Sequence, residues 1–377
     1  MFWTTLKRLA ADAMSAFKSA TPGAAGRNWS TYNAAKINER RLFPILLYEL
    51  CLCIEEITQD RGRPRLSLRD MIFCAVLRVF TKSPLRQFTQ DAFLAYSSRL
   101  IKKVPHFNSV SNYLRMKLVG EKLLKLIAIS SLPLKAIETN FAVDSTGLST
   151  CRYARWLDLR QMRERSRRQW VKVHLICGVR TNIVTSVIVT SGSEADGPRF
   201  GPLLAETARN FQTEEVYADK AYLSGENLRF ALLAGAIAYI PFKSNNRLDA
   251  DYKSTFWKRM LRMYLERRGE FLAHYNLRNN VETTFSMVKA NFGARLSSVS
   301  RQAQFNEALC KILCHNICVL IRSIYELGIE VDFCSEASYD LTSETKPLGQ
   351  ALSNGQLSKV RARIPALLKK AARKFLK

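Results

Sequence analysis

A change of hydrophobic periodicity near Pro133 limits the fold of this chain more than any other feature of its sequence. Before it, apolar residues such as Leu42, Leu46 and Leu50 recur at helical spacing, and Ser67 precedes a second periodic segment as an N-cap. After it, the chain is made of short runs rich in β-branched residues, separated by turn-forming residues. The sequence therefore predicts a helical first third followed by an α/β unit.

The α/β part has a definite predicted order. Strands are expected at 141–144, 170–179, 183–190, 215–218 and 236–241, and helices at 198–210 and 224–234. This order is βββαβαβ in a mixed sheet, and further helices are expected at 274–292 and 305–325. In the first third, helices are expected after Ser67, at 85–94 and at 110–118.

These patterns divide the chain into four parts. We expect a flexible leader at 1–28, a helical domain at 29–135, an α/β domain at 136–325 with a short basic insertion at 243–270, and a basic tail at 326–377.

The charge of the chain indicates its partner. Its 58 basic and 32 acidic side chains give a net charge of +26, which attracts polyanions, so nucleic acid is expected. Nine cysteines form no repeating framework, which favours a reducing compartment over a secreted disulfide scaffold. The apolar run at 310–321 is interrupted by His315 and Asn316, so no contact with a membrane is expected.

Two aspartates each follow an apolar run that predicts a strand. Asp144 follows 141–143 and precedes the small residues 145–147, and Asp219 follows 216–218. If the two strands are neighbours in the sheet, their carboxylates can meet. The alternative for either residue alone is a turn or cap, which is the usual role of an aspartate at a strand end.

Four polar residues on the predicted helix 274–292 share one narrow face. At about 100° per residue, Tyr275, Arg278 and Lys289 point close to the direction of Glu282, beside an apolar stripe. The simpler explanation is a solvated face with an i, i+4 ion pair. In a chain this basic, however, a third carboxylate that meets the two aspartates would allow two Mg²⁺ ions to act on a phosphodiester.

These residues resemble the motifs of DDE transposases from bacterial insertion sequences. Tyr275, Arg278, Glu282 and Lys289 match the Y-(2)-R-(3)-E-(6)-K spacing of the insertion-sequence-4-like group, which is known as the YREK signature. The runs at 142–146 and 218–222 look like the first and second aspartate motifs of that group. The resemblance is good over about residues 141–320.

The resemblance implies an RNase H-like catalytic core preceded by a helical DNA-binding domain. Asp144, Asp219 and Glu282 would be the catalytic residues and the ligands of two Mg²⁺ ions, with Mn²⁺ as a substitute. The implied activity is Mg²⁺-dependent cleavage of DNA at transposon ends and strand transfer into target DNA. The implied partners are double-stranded DNA, as terminal inverted repeats and as target, and a second copy of the chain on that DNA. The implied location is the bacterial cytoplasm, on the nucleoid.

Two other functions stay open. A nuclease of the same fold would cleave DNA without joining it. A DNA-binding repressor descended from a transposase would do neither, although the intact set of three carboxylates argues against it.

Several further residues are expected to contact DNA. The segment 152–168 holds seven arginines interleaved with Tyr153 and Trp156, although such charge also protects a strand edge. Lys172 alternates with His174 on one predicted strand, where a purely structural histidine is at least as consistent with the pattern. The full set of expected DNA contacts is Tyr275, Arg278, Lys289, Lys220, Lys172, Arg152, Arg155 and Arg163.

Other conspicuous residues are expected to be structural. Asp196 precedes Gly197 and Pro198, which favours an N-cap over a ligand role. The cysteines at 310, 314 and 318 form a helical stripe that is typical of core packing. Trp257, in the short basic insertion, is expected to pack and not to stack on an extruded base. The basic run at 61–65 resembles a minor-groove hook, but a basic loop is the more frequent case.

Overall fold

The computed structural model describes residues 28–56, 65–150, 170–244, 246 and 255–333, and every structural statement concerns those residues. Its first part is helical, as expected. Ser67 caps the second helix by accepting a hydrogen bond from the Asp70 N–H at 3.1 Å. The helices are α1 (Trp29–Leu52), α2 (Leu68–Thr81), α3 (Phe88–Ser97), α4 (Phe107–Leu114) and α5 (Lys117–Ser131).

Two of these helices differ from the predicted bounds. Helix α3 begins at Phe88 and not at 85, because residues 85–87 form a separate turn that is closed by the bond from the Phe88 N–H to the Pro84 carbonyl. The segment expected as one helix at 110–118 is divided at Arg115 and Met116 between α4 and α5. The apolar periodicity continues across this break, so the sequence pattern alone predicts one uninterrupted helix.

The second part is a mixed sheet of five strands in the order β3-β2-β1-β4-β5. The first three strands pair antiparallel, whereas β4 and β5 add in parallel on the other side of β1. The predicted order βββαβαβ is confirmed. The elements are β1 (Asn140–Ser149), β2 (Trp170–Gly178), β3 (Val184–Ser191), α6 (Phe200–Asn210), β4 (Glu215–Ala218), α7 (Gly225–Leu233) and β5 (Ile237–Tyr239).

The expected single helix at 274–292 is wrong. The chain forms α8 (Thr255–Glu266) and α9 (Arg268–Tyr275), then a 3₁₀ turn at Asn276–Arg278, then α10 (Asn279–Phe292). Asparagine side chains compete with the helical backbone for hydrogen bonds, and here the Asn280 amide donates to the Leu277 carbonyl at 3.0 Å. Tyr275 and Glu282 therefore lie on different helices, on either side of this turn.

The last helix, α11 (Arg301–Leu327), joins the two parts, since it packs against α1, α2, α5 and β3. Cys310, Cys314 and Cys318 are buried on it, so the expected core role of the stripe is confirmed. By length and apolar composition α11 could cross a membrane, yet 83% of its most apolar window is buried within the protein. That burial is typical of the core helix of a globular fold.

A candidate active site around Arg278

The two aspartates lie side by side on neighbouring strands. The sequence predicts that β1 ends at Asp144, and this is wrong. The strand continues to Ser149, because residues 144–149 keep pairing with β2. On its other side β1 pairs in parallel with β4 only as far as Val143 opposite Ala218. Asp144 and Asp219 are the residues that directly follow this last pair along the chain, and paired strands are about 4.8 Å apart. The sheet therefore brings together two carboxylates from distant parts of the sequence.

Arg278 links the first aspartate to the helical glutamate. Its Nη2 donates to Asp144 Oδ2 at 2.7 Å, and its Nη1 donates to Glu282 Oε1 at 2.8 Å. A guanidinium has a rigid fork of donors, so holding both bonds fixes the two carboxylates relative to each other. Only 14% of the Arg278 side chain is exposed, whereas 59% of Glu282 is. Glu282 thus approaches from the open side of the site.

The electrostatics place Tyr275 and all three carboxylates in one neighbourhood. Burial raises the pKa of the Asp144 carboxyl, and the nearby Asp219 raises it further, although the Ser145 N–H and Arg278 oppose this. Burial also raises the pKa of Tyr275, to which the charges of Asp219, Asp144 and Glu282 add. These shared influences indicate that the three carboxylates lie near one another, with the positive charge of Arg278 among them.

Two lysines border this site. Lys289 Nζ donates to Thr146 Oγ1 at 2.6 Å, and Thr146 lies on the same face of β1 as Asp144. Lys220 directly follows Asp219 and has an exposed side chain, while its backbone N–H donates to Asp219 Oδ1 at 2.6 Å. Both ammonium groups are thus attached to segments that carry the carboxylates.

Lys172 and His174 lie on the opposite face of the sheet. Both contact Asp196, at 2.9 Å from Lys172 Nζ and 3.2 Å from His174 Nδ1. Asp196 starts the 3₁₀ turn Gly197–Arg199, but its carboxylate makes no capping bond, so the expected side-chain N-cap is wrong. The two basic side chains take the carboxylate instead, and hydrogen bonds from Lys172 and Ser145 lower the pKa of Asp196 despite its burial. His174 is fully buried, and burial lowers its pKa, which favours its structural interpretation.

Sequence reasoning missed a buried group that supports the site. Glu215, on β4, accepts hydrogen bonds from Tyr217 Oη at 2.7 Å and from His274 Nδ1 at 2.8 Å. The His274 ring also stacks on Tyr239 with centroids 4.5 Å apart. This contact fixes the end of α9, immediately before Tyr275 and the turn that carries Arg278. A glutamate inside an otherwise apolar strand was the available signal, because such a charge needs a buried partner.

The donor chemistry of the site fits a hard divalent cation, which prefers carboxylate oxygens. In this structure the positive charge that neutralises the carboxylates is the Arg278 guanidinium, which bonds both Asp144 and Glu282. Within the described parts of the chain, no three His, Cys, Asp or Glu side chains are grouped closely enough to hold a metal ion.

Some expected contacts fall elsewhere. Arg152, Arg155 and Arg163 lie outside the described residues. So do residues 61–64 of the basic run that resembles a minor-groove hook. Trp257 is buried and its ring meets that of Phe242 edge-on at 5.1 Å, so its expected packing role is confirmed.

Comparison with known proteins gives two findings. Residues 136–317 match the model of the transposase DDE domain family, and this supports a DDE transposase. The matched segment includes both aspartates and Glu282. The chain is also similar to the solved structure of a piggyBac transposase synaptic complex with hairpin DNA, with a TM-score of 0.38 and 12% identity. That match covers 86% of this chain and 85% of the other.

Proposed function

We propose that this protein is a transposase of the insertion-sequence-4-like group that cuts transposon ends and joins them to target DNA. In this proposal the mixed sheet is the centre of an RNase H-like catalytic core, and the helices before it form a DNA-binding domain. The helices α1 to α5 and the basic loops would hold the terminal repeats. The reaction is phosphoryl transfer at a phosphodiester.

One observation carries the proposal. The parallel register of β1 and β4 sets Asp144 beside Asp219, and Arg278 bonds both Asp144 and Glu282. Arg278 thus bonds one carboxylate from a strand and one from a helix, and the charge of Asp219, just after β4, also acts on it, inside the segment that matches the family. A solvated helix face with an isolated Arg278–Glu282 ion pair does not account for the second bond, from Arg278 to Asp144.

The carboxylates of Asp144, Asp219 and Glu282 would hold two Mg²⁺ ions, for which Mn²⁺ could substitute. Bound there, the ions would lower the pKa of an attacking water or 3′-hydroxyl and stabilise the leaving oxygen. Arg278, released from its carboxylates, and Lys289 would bind phosphates, and Tyr275 would pack beside the DNA backbone. Lys220 and the arginines of 152–168 would extend this contact along the duplex.

The proposal also covers partners and location. Cutting two ends in concert requires two active sites, so the chain would work as a homodimer on DNA. A net charge of +26 suits a protein associated with the nucleoid in the bacterial cytoplasm.

The test uses duplex DNA that carries the ends flanking the reading frame, with Mg²⁺, and follows both cleavage and joining to a plasmid. Asp219→Asn should abolish cleavage while end binding changes by only a few fold, because the amide keeps the shape and loses the charge that a metal needs. The control variant Glu206→Gln removes a partly exposed carboxylate of α6 that pairs with Arg209 at 2.7 Å, and this variant should cleave normally.

The outcomes separate the candidate functions. Undiminished cutting by Asp219→Asn would refute the assignment of the site. Cleavage without joining, even from a pre-cut end, would identify a nuclease. End binding without any cleavage by the unaltered chain would identify a repressor.

A further inference from the structure

The loop between α10 and α11, residues 293–300, is held in place by two buried charges that the active site does not use. Lys311 Nζ donates to the carbonyl oxygens of Gly293 and Arg295, at 2.7 and 2.5 Å. Glu307 accepts the Ser297 N–H at 2.8 Å and the Ser298 N–H at 2.7 Å. Both charged side chains are almost fully buried on α11. Burying a charge is costly unless hydrogen bonds compensate it, so these bonds fix the loop backbone strongly.

Contacts from other parts of the fold hold the same loop. Ser149, the last residue of β1, donates to the Ala294 carbonyl at 3.1 Å and accepts the Leu296 N–H at 2.9 Å. Arg78, on α2, donates to Ser297 Oγ at 3.0 Å. The loop is thus attached to the strand that carries Asp144 as well as to the helical part.

This firmly held loop nevertheless presents an apolar tip to solvent. Val299 is 92% exposed, although Leu296, three residues earlier, is buried in the core. Arg295 and Arg301 are also exposed on either side of it in the sequence. From residue 283 to 306 the sequence contains three basic residues and no acidic one. An ordered, positive surface with an apolar tip is preorganised for an anionic partner.

The position of the loop relative to the active site follows from two chain paths. At about 1.5 Å per residue, α10 carries the chain about 16 Å from Glu282 to Gly293. At about 3.4 Å per residue, β1 covers about 17 Å from Asp144 to Ser149. Both paths reach the beginning of the loop, at Gly293 and Ala294, after a similar length, and at about 3.4 Å per base pair this length corresponds to about five base pairs.

We infer that the 293–301 surface binds the backbone of duplex DNA about five base pairs from the phosphate held in the active site. Arg295 and Arg301 contact phosphates, and Val299 packs against the sugars between them. The inference rests on the proposed function and adds to it a second, non-catalytic DNA contact.

The experiment measures binding of a labelled, mixed-sequence duplex by fluorescence anisotropy across about 50 to 200 mM salt. The variant is Arg295→Ala/Arg301→Ala. Its affinity should fall on the order of tenfold at low salt, and the slope of log K against log salt should become shallower by about 0.9 per arginine. Val299→Glu, which adds a negative charge to the exposed tip, should also weaken binding.

A matched control removes the same charge elsewhere. Arg180 lies in the turn after β2, next to the end of β1 that is opposite Ser149, and Arg209 lies in the last turn of α6, before the start of β4. Arg180→Ala/Arg209→Ala should bind with the unaltered slope and affinity. All the altered side chains are on the surface, and circular dichroism checks that each variant folds as the unaltered chain does.

Three results would overturn the inference. Arg295→Ala/Arg301→Ala could keep the salt dependence of the unaltered chain. The control Arg180→Ala/Arg209→Ala could lose as much affinity for DNA as Arg295→Ala/Arg301→Ala does. Val299→Glu could bind DNA as tightly as the unaltered chain. Failure of the unaltered chain to bind any duplex would instead refute the proposed function itself, and the inference with it.

Discussion

Tyr217 and His274 donate to the same buried carboxylate, and each can lose its donor while keeping an aromatic ring. Their donor atoms lie 2.7 and 2.8 Å from Glu215 Oε2. A hydrogen bond to a charged group contributes about 1.5–3 kcal/mol to stability. Tyr217 is fully buried, so Tyr217→Phe should lower the free energy of unfolding by about 3 kcal/mol. The His274 side chain is 36% exposed, so water can replace part of its bond and His274→Phe should cost about 1.5 kcal/mol.

The variant that loses more stability should lose less activity: Tyr217→Phe should destabilise the fold more, whereas His274→Phe should slow DNA cleavage more. His274 directly precedes Tyr275, and the turn that follows ends at Arg278, which bonds Asp144 and Glu282. His274→Phe should therefore slow DNA cleavage, because it loosens the attachment of that turn to β4. Tyr217→Phe should leave cleavage unchanged at a temperature where the variant stays folded.

The measurements are urea unfolding followed by tryptophan fluorescence and the rate of cleavage of end DNA. The reasoning would be refuted if the free energy of unfolding of both variants fell by less than about 0.5 kcal/mol, which is the usual effect of a surface substitution. It would also be refuted if Tyr217→Phe slowed cleavage as much as His274→Phe.

Three other predictions concern single side chains. Arg278→Lys should reduce DNA cleavage by at least about tenfold in a timed assay, because an ammonium lacks the planar fork of donors that would bind a phosphate at two points; a rate within twofold of normal would contradict this. Asn316→Leu should lower the free energy of unfolding by about 2–5 kcal/mol in urea, since its amide bonds the Val184 N–H and C=O and Ser130 Oγ at 2.7–2.9 Å; Ile317→Val, its neighbour, should cost only about 1 kcal/mol. Burial lowers the pKa of His315 from 6.5 to about 4, so between these values the unfolded chain binds a proton that the native chain does not. The free energy of unfolding should therefore fall by about 3 kcal/mol as the pH falls through that window, and His315→Gln should remove this part of the pH dependence.

The sequence by itself determined the local elements and the identity of the candidate site residues. Helical and strand periodicities are written in a few consecutive side chains, so the order βββαβαβ and the helices around it could be predicted. The spacing of Tyr275, Arg278, Glu282 and Lys289 was equally readable, because it lies within fifteen residues. The end of β1 and the break before α10 could not be read from the sequence, because pairing with β2 sets the first and the side-chain bonds of asparagines set the second.

Only the tertiary structure decided which distant groups meet. Asp144 and Arg278 are 134 positions apart, and their bond depends on the register of β1 with β4 and on the turn before α10. Asp196 was predicted to cap its own turn, but folding brought Lys172 and His174 to its carboxylate. Glu215 found its histidine partner 59 positions away. Charges interact through space and not along the chain, so these pairs follow from the packing of whole elements and not from any local pattern.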